Sequence, residues 1–169
     1  DDVIYAGKGS DSVDGGDGDD WIKLSYEGEH GRDTAYGGDG DDTILAGNGE
    51  QLVYGGDGAD ELYGGGEDGT SDTDTLYGGA GDDLIVSGFT SYDNASLAGD
   101  SLVGGTGNDS VIGGVVDDTN EGGSGDDSID GGEGDDRIAA DEMLANGGLE
   151  GGLTSGAQVR NALEGWTSA

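Results

Sequence analysis

Isolated apolar residues recur along this chain at a spacing of nine. The column runs Ile4, Val13, Ile22, then Ala35, Ile44, Val53, Leu62, then Leu76, Ile85, then Leu102, Val111, and finally Ile129 and Ile138. One apolar residue per nine is too sparse for an amphipathic helix, which needs one every three or four positions. It suits a short strand whose central side chain points inward while its two neighbours point out. Glycine-rich segments separate these positions and are predicted turns. The spacing lapses at residues 24–32, 66–73 and 87–99, and each time the frame resumes with an aspartate two places before the apolar residue: Asp33, Asp74 and Asp100. A frame that survives insertions belongs to a structural repeat rather than to low-complexity sequence. The step of seventeen from Ile85 to Leu102 fits either one repeat with a long loop or two with a deletion, so the pattern leaves open which strand follows.

With the apolar residue set eighth, the nonapeptide G-G-x-G-x-D-x-U-x, with U apolar, is intact seven times, starting at Gly15, Gly37, Gly55, Gly78, Gly104, Gly122 and Gly131. Near copies start at Ala6 and Ala46, the second with Gln51 in place of aspartate. A decayed copy starts at Gly113, with Val116 at the third glycine and Asn120 at the apolar place.

This frame resembles the RTX, or hemolysin-type calcium-binding, repeat, and the resemblance covers about residues 1–139. It implies an all-β fold, a right-handed parallel β-roll (a two-sheet β-solenoid) in which each repeat supplies one turn and one short strand. It also implies a secreted or cell-surface bacterial protein exported by type I secretion. Asp1–Tyr5 reads as the tail of a repeat, so the chain is expected to be a piece of a longer protein.

Composition sharpens the picture. The chain has 169 residues, 41 glycines, no proline or cysteine, 39 acidic against five Lys+Arg residues, and a formal net charge of -34. Taken alone, such numbers describe a disordered chain. An ordered form needs an outside source of free energy, and the charge points to cations. It excludes nucleic acid and anionic lipid as partners, and no apolar run suits membrane insertion. No disulfide or thiolate centre can form.

The residue types suit calcium. Glycines permit a sharp turn that aims carbonyl oxygens inward, and aspartate adds a hard anionic oxygen. Calcium takes six to eight such oxygens at about 2.3–2.6 Å, whereas magnesium prefers a tight octahedron with its own waters. Zinc would want His or Cys, and His30 is the one histidine. Coils stacked about 4.8 Å apart bring the aspartate of one turn beside that of the turn one coil away. The expected ladder is Asp11, Asp20, Asp33, Asp42, Asp60, Asp74, Asp83, Asp100, Asp109, Asp127 and Asp136. Expected carbonyl donors are Gly16, Gly18, Gly38, Gly40, Gly56, Gly58, Gly79, Gly81, Gly105, Gly107, Gly123, Gly125, Gly132 and Gly134. Together they would hold roughly eight to eleven Ca2+ ions. The acidic fifth-place residues Asp19, Asp41, Asp82, Asp126 and Asp135 are expected to face solvent and lend only a carbonyl. Gln51 should weaken one site, and the Gly113 repeat should form a poor one or none, unless Asp117 and Asp118 rescue part of it.

Tyr5, Tyr36, Tyr54, Tyr63 and Tyr77 occupy ninth places and should stack across strands on the outer face, with Trp21 treated alike. Phe89 and Tyr92 are expected to fold over the roll. Residues 140–169 are expected to form a partly helical or irregular C-terminal cap, with one short helix over 139–146 stopped by Gly147 and Gly148, and a weak helix or coil bearing Val159, Ala162, Leu163 and Trp166. A solenoid end exposes strand edges and needs such a cap.

The leading functional expectation is a calcium-dependent structural module that folds outside the cell and assists type I secretion. The alternative is an adhesin, surface-layer or extracellular-matrix module that binds a protein or glycan partner through the tyrosine face; self-association is a separate partner expectation. Catalysis is disfavoured: there is one histidine, no cysteine and no nucleophile setting. No segment has the ligand spacing of an EF-hand.

Overall fold

The computed structural model describes residues 1–25, 30–65, 73–88 and 99–139, together with the backbone of 158–160. The strands in chain order are β1 (Val3–Tyr5), β2 (Ser12–Asp17), β3 (Trp21–Lys23), β4 (Thr34–Asp39), β5 (Thr43–Leu45), β6 (Leu52–Asp57), β7 (Glu61–Tyr63), β8 (Thr75–Ala80), β9 (Leu84–Val86), β10 (Ser101–Thr106), β11 (Ser110–Gly114), β12 (Thr119–Ser124), β13 (Ser128–Gly132), β14 (Arg137–Ala139) and β15 (Gln158–Arg160). Odd-numbered strands build one sheet of eight and even-numbered strands one of seven, each in chain order. Every pairing within them is parallel. The chain therefore crosses to the opposite sheet at each repeat, and every second repeat lies in register: a parallel β-solenoid.

The nine-residue column sets that register. Ile4, Ile22, Ile44, Leu62, Ile85, Val111 and Ile129 are successive partners in the larger sheet. Val13, Ala35, Val53, Leu76, Leu102, Asn120 and Ile138 are successive partners in the smaller. A one-residue slip would turn each of these side chains outward. From Ile22 to Val111 the column is fully buried and forms a single core. Each such Val, Leu or Ile side chain contributes about 2 kcal/mol by leaving water, and Ala35 less than half of that. The core is one residue deep on each sheet, so it is thin for a chain of this length.

The seventeen-residue step resolves as one repeat with a long connection. β9 lies in the larger sheet and β10 in the smaller, so alternation holds across the insertion. On the outer face, Tyr36, Tyr54 and Tyr77 stack with ring centroids 5.0 Å apart and planes within 8°. Tyr5 meets Trp21 edge-on at 5.3 Å, and the Tyr63 hydroxyl donates to Glu61.

One expectation is corrected. Instead of a weak helix or coil, residues 158–160 form a strand that pairs with β13, with Val159 opposite Ile129. The edge of β13 carries unpaired N–H and C=O groups, and an added strand satisfies them. Of the helix expected over 139–146, Ala139 ends β14 instead; the rest of it, with Phe89, Tyr92, Ala162, Leu163 and Trp166, lies outside the described residues. Among the described residues, no helix is long and apolar enough to cross a membrane.

Candidate metal centre

Alternation between sheets sorts the turns into two flanks that differ in sequence. The turns running from the smaller to the larger sheet are 15–20, 37–42, 55–60, 78–83, 104–109 and 122–127; all six are intact G-G-x-G-x-D copies without insertions. The turns running the other way are 6–11, 24–33, 46–51, 64–74, 87–100, 113–118 and 131–136. All three insertions, both alanine-first copies and the decayed repeat fall on this interrupted flank, where only the Gly131 turn is intact.

The turn 37–42 shows how the motif works. Gly38 and Gly40 have φ of 124° and 131°, where a β-carbon is strained. Gly37 is needed for space rather than for φ. A β-carbon there would come closer than 3.0 Å to Asp42 Oδ2 and to the Gly55 carbonyl oxygen of the next coil. The same pair of oxygens, one carboxylate and one carbonyl, converges beside Gly15, Gly55, Gly78 and Gly104.

Sixth-place aspartates form a hydrogen-bonded row. The backbone N–H of Asp20 donates to Asp42 Oδ1, that of Asp42 to Asp60, Asp60 to Asp83, Asp83 to Asp109, and Asp109 to Asp127, at 2.7–3.0 Å. In each of Asp20, Asp42, Asp60, Asp83, Asp109 and Asp127 the other oxygen, Oδ2, is buried without a hydrogen-bond partner among the described residues. On the interrupted flank the row is Asp11, Asp33, Gln51, Asp74, Asp100, Asp118 and Asp136. There Oδ2 of Asp11, Asp33, Asp118 and Asp136 is likewise unpartnered, while Asp100 Oδ2 accepts from Ser87 Oγ at 2.5 Å.

Burial raises these carboxyls. Desolvation is the largest cause at Asp60, Asp83 and Asp118; a hydrogen bond from the preceding coil's N–H opposes it, and neighbouring carboxylates add to it. The outcome is a pKa pushed up to about 6 at Asp60 and about 7 at Asp83 and Asp118. Asp33, Asp42 and Asp109 are raised for the same leading reason. Buried anionic oxygens without donors cost free energy unless a proton or a cation joins them.

Among the described residues, no three His, Cys, Asp or Glu side chains converge. Carboxylates alone therefore make no centre, and main-chain oxygens must complete the shell. An all-oxygen set of carboxylates and carbonyls is the donor set of calcium, so these residues fit that ion.

The rows hold the expected aspartates and add Asp118, which belongs to the decayed repeat. Its N–H and Oδ1 both join the row, because Val116 and Asn120 leave the sixth place untouched. The carbonyls of Gly16 and Gly18 lie against Gly38 and Gly40 of the next coil. The carbonyls beside the unpartnered oxygens come instead from first-place glycines such as Gly37 and Gly55, which the sequence reading did not name. Fifth-place Asp19, Asp41, Asp82, Asp126 and Asp135 are exposed. Several build a second, outer row, as where the Asp41 N–H donates to Asp19 and the Ala59 N–H to Asp41. His30 is exposed, and Arg32 pairs with Glu50 at 2.5 Å.

The sequence profile of the RTX calcium-binding nonapeptide repeat matches residues 1–23, 26–50, 52–70, 68–89, 95–119 and 113–142. Comparison with curated proteins found no match. Repeats of this kind bind Ca2+, and several copies imply several ions. The aspartate rows, the glycine turns and these matches agree that the chain belongs to the RTX calcium-binding nonapeptide repeat family.

Proposed function

We propose that this chain is a calcium-folded structural module of a secreted bacterial protein, without catalytic activity of its own, which folds outside the cell and assists type I secretion. One observation carries the reading: all six turns of the intact flank bury a carboxylate oxygen that lacks a donor among the described residues. The ions are assigned between coils, against sixth-place Oδ2 atoms and carbonyls of the glycine turns, on both flanks. Bound calcium supplies positive charge to a chain of formal net charge -34. Where calcium is scarce, carboxylate repulsion and the thin core favour an extended chain that can be threaded. Millimolar calcium outside favours the roll, and folding there opposes backward sliding.

Mutual stacking of Tyr36, Tyr54 and Tyr77 accounts for the tyrosine column without a partner. Export of the chain by cells carrying a type I system, with external calcium varied, tests the proposal. Export should quicken as calcium rises from micromolar to millimolar, and a rate indifferent to calcium would contradict the secretion role.

A further inference from the structure

The interrupted flank contains one turn built unlike the others. Gln51 occupies the sixth place of turn 46–51, and its Oε1 accepts the Asp33 N–H at 2.7 Å, as an aspartate Oδ1 does elsewhere in the row. Its other terminal atom differs from every aspartate Oδ2, because Nε2 is a donor. It donates to the Asn48 carbonyl at 2.7 Å and to the Gly31 carbonyl of the preceding coil at 3.5 Å. Ser25, in the turn one coil earlier, does similar work. Its hydroxyl lies 3.1–3.2 Å from the Ala46 and Asn48 carbonyls and accepts the Asn48 N–H at 2.8 Å. Gln51, Ser25 and Asn48 are all buried.

The first places fit this pattern. On the intact flank they are all glycine, and at Gly15, Gly37, Gly55, Gly78 and Gly104 a β-carbon would enter the oxygen pair. In the two turns in question they are Leu24 and Ala46, both fully buried and part of the apolar core. Carbonyl oxygens that would face a cation elsewhere here face N–H and O–H donors, and apolar carbon fills the adjoining space.

We propose that turn 46–51 is a metal-free plug. Protein donors, chiefly Gln51 Nε2 and Ser25 Oγ, stand where a cation stands in intact turns, so the calcium row on this flank is split into separate segments. The inference rests on the reading of the other turns as calcium sites and goes beyond it, because it assigns one coil that holds its shape without the ion.

The test counts bound calcium by equilibrium dialysis, with far-UV circular dichroism confirming the fold, for the whole chain and two variants. Ala46→Gly with Gln51→Asp restores the full motif and should bind at least one more ion than the unaltered chain. Gln51→Ala removes the donor without adding a carboxylate. It should keep the ion count and need a calcium concentration higher by a factor of about 1.2–1.7 to fold. An equal count in the restored variant overturns the plug. Should that variant not fold, Gln51→Ala decides: an unchanged count supports the plug, and a lower count makes Gln51 a ligand and overturns it. Chains that bind no calcium at all would instead defeat the reading of the family sites.

Discussion

A sixth-place aspartate and its fifth-place neighbour differ in burial and in what meets the second oxygen. Asp60 is buried with Oδ2 unpartnered among the described residues, whereas Asp41, at the fifth place one coil earlier, is exposed in the outer row. Asp60→Asn should lose at least one bound ion, at a cost of about 1.5 kcal/mol per ion in a tenfold excess of calcium over its Kd. Asp41→Asn should stay within about 0.5 kcal/mol of the unaltered chain. Calcium-dependent denaturation of both variants checks the contrast. The raised carboxyls fix the sign of the pH response. With no ion bound, a folded pKa of about 6 at Asp60 and about 7 at Asp83 and Asp118 favours the protonated form. Stability from these groups is therefore present in acid, below the ordinary carboxylate range, and is lost as pH rises through 6–7. Acidification from pH 8 to 5.5 should therefore make the metal-free roll less costly, while proton release on calcium-driven folding, read by potentiometry, should stay small over that range because the unfolded carboxyls are already ionised. The sixth-place carboxylates were legible in the sequence because they recur. First-place carbonyls were not, since a main-chain oxygen has no letter of its own. Nor were the roles of Leu24 and Ser25, which meet the turn one coil on, and Gln51 was legible only as a missing carboxylate, not as a donor to Asn48.

Each strand is short, so a single inward side chain determines how well it packs. Leu102, Asn120 and Ile138 are successive partners in the smaller sheet. Asn120 is buried, with Oδ1 and Nδ2 both lacking hydrogen-bond partners among the described residues. An unsatisfied buried amide costs about 1–3 kcal/mol. Asn120→Val should raise stability by that order, read as a higher denaturant midpoint at saturating calcium, and a lower midpoint would mean that the amide has a partner. Most of the strands could be placed from the nine-residue column, because a period-two strand shows itself through its inward residue. Two elements could not. The seventeen-residue step was ambiguous because loop length carries no sheet label, and only pairing of β10 with β8 assigns it. The strand Gln158–Arg160 looked helical or irregular because its reason for pairing is the edge of β13, not a local pattern.

As a whole, the molecule joins a core one residue deep to rows of buried carboxylates under a formal net charge of -34. The two flanks share this burden unequally. One presents six uninterrupted turns, while the other carries the insertions and the Gln51 turn. Without a cation, burial of those oxygens and their mutual repulsion oppose the same stacking that the apolar column favours. The central claim is that calcium, rather than apolar burial, decides whether the roll forms. Far-UV circular dichroism of the metal-free chain during calcium titration, repeated with magnesium, tests it most directly. A cooperative gain of β-sheet signal with calcium, absent with equal magnesium, is the predicted result. A full β-sheet signal in chelator before any calcium is added would contradict it.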